Sequence, residues 1–190
     1  ASWTSAPGEL FSNASFSPDG KLISFSSTRS GSKNIWVTQT ASGEPIQVTN
    51  DTSSNKDPIW SPKGDEIAFS SQKGNTVDGR GTLTGVWRVS AFGWTPRSIG
   101  TIADGSFELR RWTTSGKIYY QSQGDLYEIE VASGSTRRTT SFVHGPGKII
   151  WADIAEDEKT IAYVRQQADE WQLFVSDVAD KNPTMIAAGK

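Results

Sequence analysis

At 190 residues the chain can bury a sizeable core, either as one domain or as part of a larger one. Its 19 basic and 21 acidic residues leave a net charge of -2, which argues against the gathered basic excess of a nucleic-acid footprint. No apolar run approaches the roughly 18 residues of a membrane span, and the absence of cysteine excludes disulfide and thiolate chemistry while suiting cytoplasm and periplasm equally. The start, Ala1-Ser-Trp-Thr-Ser, carries neither the basic nor the apolar part of a signal peptide, so the chain as it stands reads as soluble.

Taken in order, the predicted elements fall into four like units. In the first, Ser12 to Phe16 and Leu22 to Ser27 are strands joined by the turn Ser17-Pro-Asp-Gly20. Proline there presets φ and glycine accepts a positive φ. Asn34 to Thr38 alternates as a third strand and Pro45 to Thr49 makes a fourth. The second unit restarts with Pro58 to Trp60, Glu66 to Ser71, Gly85 to Val89 and Pro96 to Ile99, with a glycine-rich insertion, Gln72 to Thr84, between its middle strands. The third reads Leu109 to Trp112, Lys117 to Gln121, Asp125 to Val131 and Thr136 to Thr139, its Thr113-Thr-Ser-Gly116 turn about one residue shorter. The fourth reads Ile149 to Ile154, Thr160 to Arg165, Gln172 to Asp177 and Thr184 to Ala187, with Ala155-Glu-Asp-Glu158 replacing the Ser-Pro-Asp-Gly turn. No helical period is sustained anywhere, so the class is all-β.

One sentence recurs. Phe16-Ser-Pro-Asp-Gly-Lys-Leu-Ile-Ser-Phe-Ser-Ser returns about 44 residues later as Trp60-Ser-Pro-Lys-Gly-Asp-Glu-Ile-Ala-Phe-Ser-Ser, a spacing that fits four-stranded β-propeller blades. Blades are expected at about 11–50, 56–100, 107–140 and 148–190. With Ile35-Trp-Val or Val86-Trp-Arg-Val, then Gly43-Glu-Pro45 and a short strand ending in Thr49, the repeat resembles the TolB-like (WD40-like) propeller repeat. The resemblance is strong in the first two units and weak in the last two. It implies a β-propeller; such propellers serve as periplasmic adaptors, as sensor domains of regulatory proteins and as gates of serine peptidases. The segment Val89-Ser-Ala-Phe-Gly-Trp-Thr-Pro-Arg97 is similar to tails of bacterial sensor-type arrays.

Four blades are few for this family, whose propellers have about six to eight. An unclosed stack would expose two apolar faces, so a closed four-bladed ring or a homodimer completing a larger one is expected. The family resemblance implies a non-enzymatic binding module that presents a loop face to a protein or small ligand, or the sensor part of a larger regulatory protein; the compartment is open, with an extracytoplasmic location favoured over a cytoplasmic one. The alternative is the propeller part of a hydrolase, a peptidase gate or a carbohydrate-active domain. No nucleic acid, membrane insertion or cofactor is expected.

Candidate residues are those the repeat does not explain. Trp36, Trp60, Trp87, Trp112 and Trp171 occupy or flank repeated positions and are expected to pack between sheets. Trp3, Trp94 and Trp151 are off-register and are candidates for an exposed surface. Blade topology puts the Gln72 to Thr84 insertion, with Asn75, Asp78 and Arg80, on one face beside the loops at 50–56, 101–106 and 142–148. Three residues before each inner-strand aromatic position stand Asn13, Asp57, Leu109 and Trp151, which places Asn13 and Asp57 at a channel mouth, as cation or partner ligands or as turn caps. Asp51-Thr-Ser-Ser-Asn-Lys-Asp57 alternates oxygen-bearing side chains as calcium loops do, but lacks the glycine and distal glutamate of that pattern. The only histidine, His144, lies in a loop without a nucleophile-elbow sequence near any serine. Glu108, Asp153 and Glu156 are the carboxylates conceivable for glycosidase chemistry. Arg110-Arg111 and Arg137-Arg138 alternate across strand faces and are expected to make ion pairs.

Overall fold

A computed structural model describes residues 8–73, 83–93, 95–102, 106–142 and 146–190. The described residues contain strands, turns and no helix. The chain divides into two compact units, Ala1–Gly105 and Ser106–Lys190, each holding two four-stranded antiparallel sheets.

In the first unit, β1 (Phe11–Phe16), β2 (Leu22–Ser27), β3 (Asn34–Gln39) and β4 (Ile46–Gln47) form one meander. β5 (Ser54–Trp60), β6 (Glu66–Lys73), β7 (Leu83–Ser90) and β8 (Arg97–Ile102) form the next. The second unit repeats the plan with β9 (Phe107–Trp112), β10 (Lys117–Ser122), β11 (Asp125–Glu130) and β12 (Thr136–Arg138). Its other sheet comprises β13 (Lys148–Ile154), β14 (Thr160–Gln167), β15 (Glu170–Asp177) and β16 (Thr184–Gly189).

The turn joining the first two strands is the same in all four sheets. Its closing N–H donates back to the carbonyl three residues earlier: Gly20 to Ser17, Gly64 to Ser61, Gly116 to Thr113 and Glu158 to Ala155, at 2.9 to 3.1 Å. All four closing residues have positive φ, 70°, 73°, 85° and 56° in that order. Glycine adopts this conformation freely and glutamate at an energetic cost, so Glu158 must be held there by its side chain. Ala155-Glu-Asp-Glu158 is thus the Ser-Pro-Asp-Gly turn without its sequence signature, with Asp157 accepting from Lys159 N and Thr160 N as Asp19 accepts from Lys21 N.

Side-chain alternation gives every sheet two faces. One carries the second-strand pair Ile23 and Phe25, Ile67 and Phe69, Ile118 and Tyr120, or Ile161 and Tyr163; it is called the aromatic face, and its opposite the reverse face. In the first unit, Trp60, Ile67, Phe69 and Val89 on the aromatic face of β5–β8 share one buried core with Ile35 and Val37 on the reverse face of β1–β4. Trp87 and Leu22 pack against it, and the Trp60 indole donates to Ser15 O at 3.0 Å. The second unit uses the same rule: Ala152, Ile154, Ile161, Tyr163 and Phe174 on the aromatic face of β13–β16 meet Tyr119 and Leu126 on the reverse face of β9–β12.

A polar latch ties the outermost strand of the leading sheet in each unit. Ile35 N donates to Thr49 Oγ1 at 2.9 Å, and that hydroxyl donates to Asn34 Oδ1 at 2.9 Å. Leu126 N, Thr140 Oγ1 and Asp125 Oδ1 repeat the arrangement at 2.9 and 3.2 Å. Thr49 and Thr140 are buried, and their hydroxyls satisfy the amides of Ile35 in β3 and Leu126 in β11. Replacing Thr49 by valine keeps the shape and removes the hydroxyl. We expect T49V to destabilise the first unit by about 1–3 kcal/mol, read as a lowered urea midpoint with unchanged slope; an unchanged midpoint would contradict the latch.

Candidate functional site

Each innermost strand carries one extra residue that breaks its register with the second strand. Two residues of β1, Asn13 and Ala14, oppose Phe25, and two of β5, Asp57 and Pro58, oppose Phe69. β9 inserts Arg110 and β13 inserts Ile150. Such bulges bend a strand and re-aim the side chains that follow.

Asn13 and Asp57 are the left-handed residues of their bulges, at φ 56° and 54°. Asparagine and aspartate tolerate that conformation better than other side chains, which accounts for both residue types. Asn13 is exposed. Asp57 is buried, 5% exposed, and accepts from Ser70 Oγ at 3.0 Å, while the same hydroxyl lies 3.1 Å from Lys56 O. Its carboxylate therefore serves the strand pair. The expected register of Asn13, Asp57, Leu109 and Trp151 breaks here: Leu109 precedes its bulge and pairs with Tyr120, buried on the aromatic face, whereas Trp151 follows its bulge and pairs with Val164 on the reverse face. Asp51, in the calcium-like segment, accepts from Ser53 N and Asn55 Nδ2, both at 2.9 Å. No group of three or more His, Cys, Asp or Glu is gathered to hold a metal ion among the described residues.

The tryptophans divide. Trp36, Trp60 and Trp112 are buried and Trp87 is half-buried against its core. Trp171 departs from expectation: it lies within β15, is 39% exposed, and its ring covers Gly189, where an added Cβ would stand 2.7 Å from it. Its strand end carries it past the edge of the core onto the reverse face of β13–β16. Trp151, 37% exposed, is on that same face. Trp3, Trp94, Asn75, Asp78, Arg80 and His144 lie outside the described residues.

Trp151 is positioned from below. Gln121 Oε1 accepts from Ala152 N at 3.0 Å and from Arg110 Nη2 at 2.6 Å, Arg110 also pairs with Glu108 at 2.9 Å, and its guanidinium stands 5.8 Å from the Trp151 ring centre. Beside the ring opens a cleft of about 220 Å³ with Ala162 and Val175 as apolar floor and the Arg111–Asp153 ion pair, 3.2 Å, at its rim. The arginine pairs are engaged as expected: Arg137 with Glu128 at 2.8 Å and Arg138 with Asp125. Of the conceivable catalytic carboxylates, Glu108 and Asp153 are ion-paired and Glu156 accepts from Thr114 N at 2.9 Å. Alternation foretells that these arginines pair but not with which carboxylates, and it gives no sign of the bonds made by Gln121 and Glu158.

Glu158 joins the turn of β13–β16 to the leading sheet. It accepts from Ser115 Oγ, from Lys117 Nζ at 2.9 Å and from Tyr119 Oη at 3.2 Å. Burial alone would raise its carboxyl, but hydrogen bonds from Ser115, Thr113 and Lys117 outweigh it and hold the group at about 2, below its usual 4.5. The same bond raises Lys117, and Tyr119 is raised by burial and then by Glu128 and Glu158.

No protein-family profile matches the chain. The Tol-Pal system protein TolB of Francisella tularensis subsp. mediasiatica is 38% identical over 60 residues, which is 32% of this chain and 14% of that protein. The crystal structure of TolB from Acinetobacter baumannii superposes on 94% of the chain and 44% of its own, with a TM-score of 0.72 and 16% identity. A protein assigned as TolB from Agrobacterium tumefaciens gives 94%, 62%, 0.68 and 22%. The same fold recurs in an oligogalacturonate lyase in complex with manganese (TM-score 0.53, 11% identity, 97% and 68% covered) and in the tricorn protease (0.62, 10%, 94% and 22%). The chain is thus an all-β protein of the β-propeller class, its four sheets being blades. It is similar in sequence to TolB over 60 residues, and it spans less than half the length of the Acinetobacter TolB.

Two expected outcomes follow from the bonded carboxylates. Asp57→Ala removes both the tolerant left-handed residue and Ser70's acceptor and should destabilise the first unit by about 1–3 kcal/mol, whereas Asp57→Asn should cost less than half as much in the same denaturation series. A ligand role confined to Asp57 would instead leave stability unchanged in both variants. For Glu158 the depressed carboxyl stabilises the fold above the unfolded value near 4.5 and that stabilisation is lost as pH falls towards 2. Glu158→Gln should therefore flatten the acid limb of the stability profile between pH 4.5 and 2; an unaltered limb would contradict the assignment.

Proposed function

We propose that the chain is a non-enzymatic interaction module that docks a protein partner on the reverse face of β13–β16. The observation that carries this reading is the contiguous apolar face on which Trp151 and Trp171 stand exposed above half-buried Ala162, Val164, Leu173 and Val175. Exposed aromatic rings on a rigid, hydrogen-bonded sheet offer large contact area at low entropic cost. Trp151 is held by the Arg110–Gln121 support, so its ring is pre-organised for contact. A reading without covalent chemistry is supported by Glu108, Asp153 and Glu156, each engaged by a structural donor. The name of the TolB relatives, proteins of a Tol-Pal system, supports a protein partner and an extracytoplasmic setting. Asn75, Asp78, Arg80 and Trp94 belong to the same proposal as loop-face contacts, together with the channel-mouth residue Asn13.

A photo-reactive residue placed at Trp151 or Trp171 should form polypeptide adducts in native extract, and one placed at exposed Thr136 should not. Absence of polypeptide adducts at both sites would overturn the docking reading. Turnover of a peptide or oligogalacturonide by the purified chain, lost in Asp153→Asn, would replace it with the hydrolase reading.

A further inference from the structure

Each sheet has an equivalent rung between its third and fourth strands, next to Ser24, Ala68, Tyr119 or Ala162 of the second strand. The rung pairs Val37 with Ile46, Arg88 with Arg97, Glu128 with Arg137 and Val175 with Thr184. Two of these are uncharged and Glu128–Arg137 is an ion pair at 2.8 Å, whereas Arg88–Arg97 sets two like charges directly opposite each other. Such a pair destabilises a ladder. Both arginines lie on the reverse face of β5–β8, where Glu66 reaches Arg88 Nη1 at 3.2 Å. Arg97 is exposed, and its guanidinium makes no ion pair or hydrogen bond among the described residues.

The same hairpin departs from the repeat a second time. The N–H groups of Thr40, Ala91, Val131 and Val178 donate to the carbonyls of Lys21, Asp65, Gly116 and Lys159 at 2.8 to 3.0 Å and fix one corner in every sheet. The residue after that corner is Ala41, Phe92, Ala132 or Ala179, and it is exposed in all four sheets. Core packing therefore does not account for the Phe92 ring, which is 79% exposed.

We infer that the Arg88–Arg97 rung binds the carboxylate of a small organic acid whose apolar body lies toward Phe92. Each guanidinium offers a planar fork of N–H donors that suits a carboxylate, and Glu66 engages only Arg88 Nη1. Glu66 also offsets one of the two positive charges. A single carboxylate neutralises the charge that remains, while a doubly charged phosphate would leave a negative excess beside Glu66, so the rung selects the carboxylate. Its binding relieves the like-charge opposition and thereby stabilises the folded first unit. Phe92, four positions after Arg88 in the same hairpin, offers a ring to the apolar part of the ligand. This site is separate from the docking face on β13–β16 and does not depend on it.

Titrations of the whole chain with sodium benzoate, sodium acetate and inorganic phosphate, at neutral pH and fixed ionic strength, test the site through the nuclear magnetic resonance signals of the arginine Nε–H groups. Benzoate should shift the Arg88 and Arg97 signals saturably with one ligand per chain, acetate should shift the same signals with lower affinity, and phosphate should bind more weakly than acetate. Arg97→Thr, which installs the residue of the fourth sheet's rung, should weaken benzoate about tenfold. It should also raise the urea midpoint of the ligand-free chain, because the like charges are gone. Phe92→Ala, the residue of the other three corners, should lower benzoate affinity to that of acetate and leave acetate binding unchanged. No saturable shift at either arginine would overturn the inference, and this wild-type measurement stands whether or not the variants fold. Phosphate binding as tightly as acetate, or benzoate binding unchanged in folded Arg97→Thr, would overturn it equally.

Discussion

A four-stranded meander has two faces and cannot bury either by itself, and the rest of this structure depends on that constraint. Burial of apolar area is what offsets the entropy of ordering the chain, so each sheet needs a neighbour whose side chains fill its own. The chain meets the requirement with one face-to-face contact per unit, built from the same register each time. Ile35 and Val37 against Ile67 and Phe69 in the first unit have their counterparts in Tyr119 and Leu126 against Ile161 and Tyr163 in the second. Sequence drift between the units changes the residues and keeps the geometry, since a two-residue period fixes which side chains share a face.

Around these cores the polar groups act as registers. The buried Thr49 and Thr140 hydroxyls fix where the outermost strand ends, and Asp57 satisfies Ser70 while occupying a conformation that most residues avoid. Glu158 shows the same economy under greater strain. It stands where the other sheets have glycine, and its bonds to Ser115, Lys117 and Tyr119 compensate a left-handed backbone that would cost about 1–2 kcal/mol. Arg110, Arg111, Arg137 and Arg138 are likewise each held by a carboxylate of the same unit.

Much of the fold was legible because the repeat is written in turn chemistry. The turns Ser17-Pro-Asp-Gly20 and Ser61-Pro-Lys-Gly64 located two hairpins directly, and the fourth turn was found by spacing although Ala155-Glu-Asp-Glu158 shares little of their sequence. The bulges were not legible: no residue type announces that Arg110 and Ile150 are the extra residues of β9 and β13, and missing them put Leu109 and Trp151 in one register when they face opposite ways. The same blindness affected Trp171, whose repeated position suggested packing between sheets but whose strand end lies beyond the core, over Gly189. For the site, Trp151 was singled out because it breaks the repeat, and it lies on the apolar reverse face beside the cleft. Its support depends on Gln121 bonding Ala152 N and Arg110 standing over its ring, contacts 31 and 41 positions apart in the chain, which no local pattern encodes.

The fold is shared by TolB, an oligogalacturonate lyase and a protease, so function here is argued from the faces and not from the likeness. The face rule is the central claim, and nuclear Overhauser contacts test it most directly. Ring protons of Phe69 should show contacts to methyl groups of Ile35 and Val37, and those of Tyr163 to methyl groups of Leu126, in one and the same sample. Contacts of the Phe69 or Tyr163 ring solely within its own sheet would contradict the account.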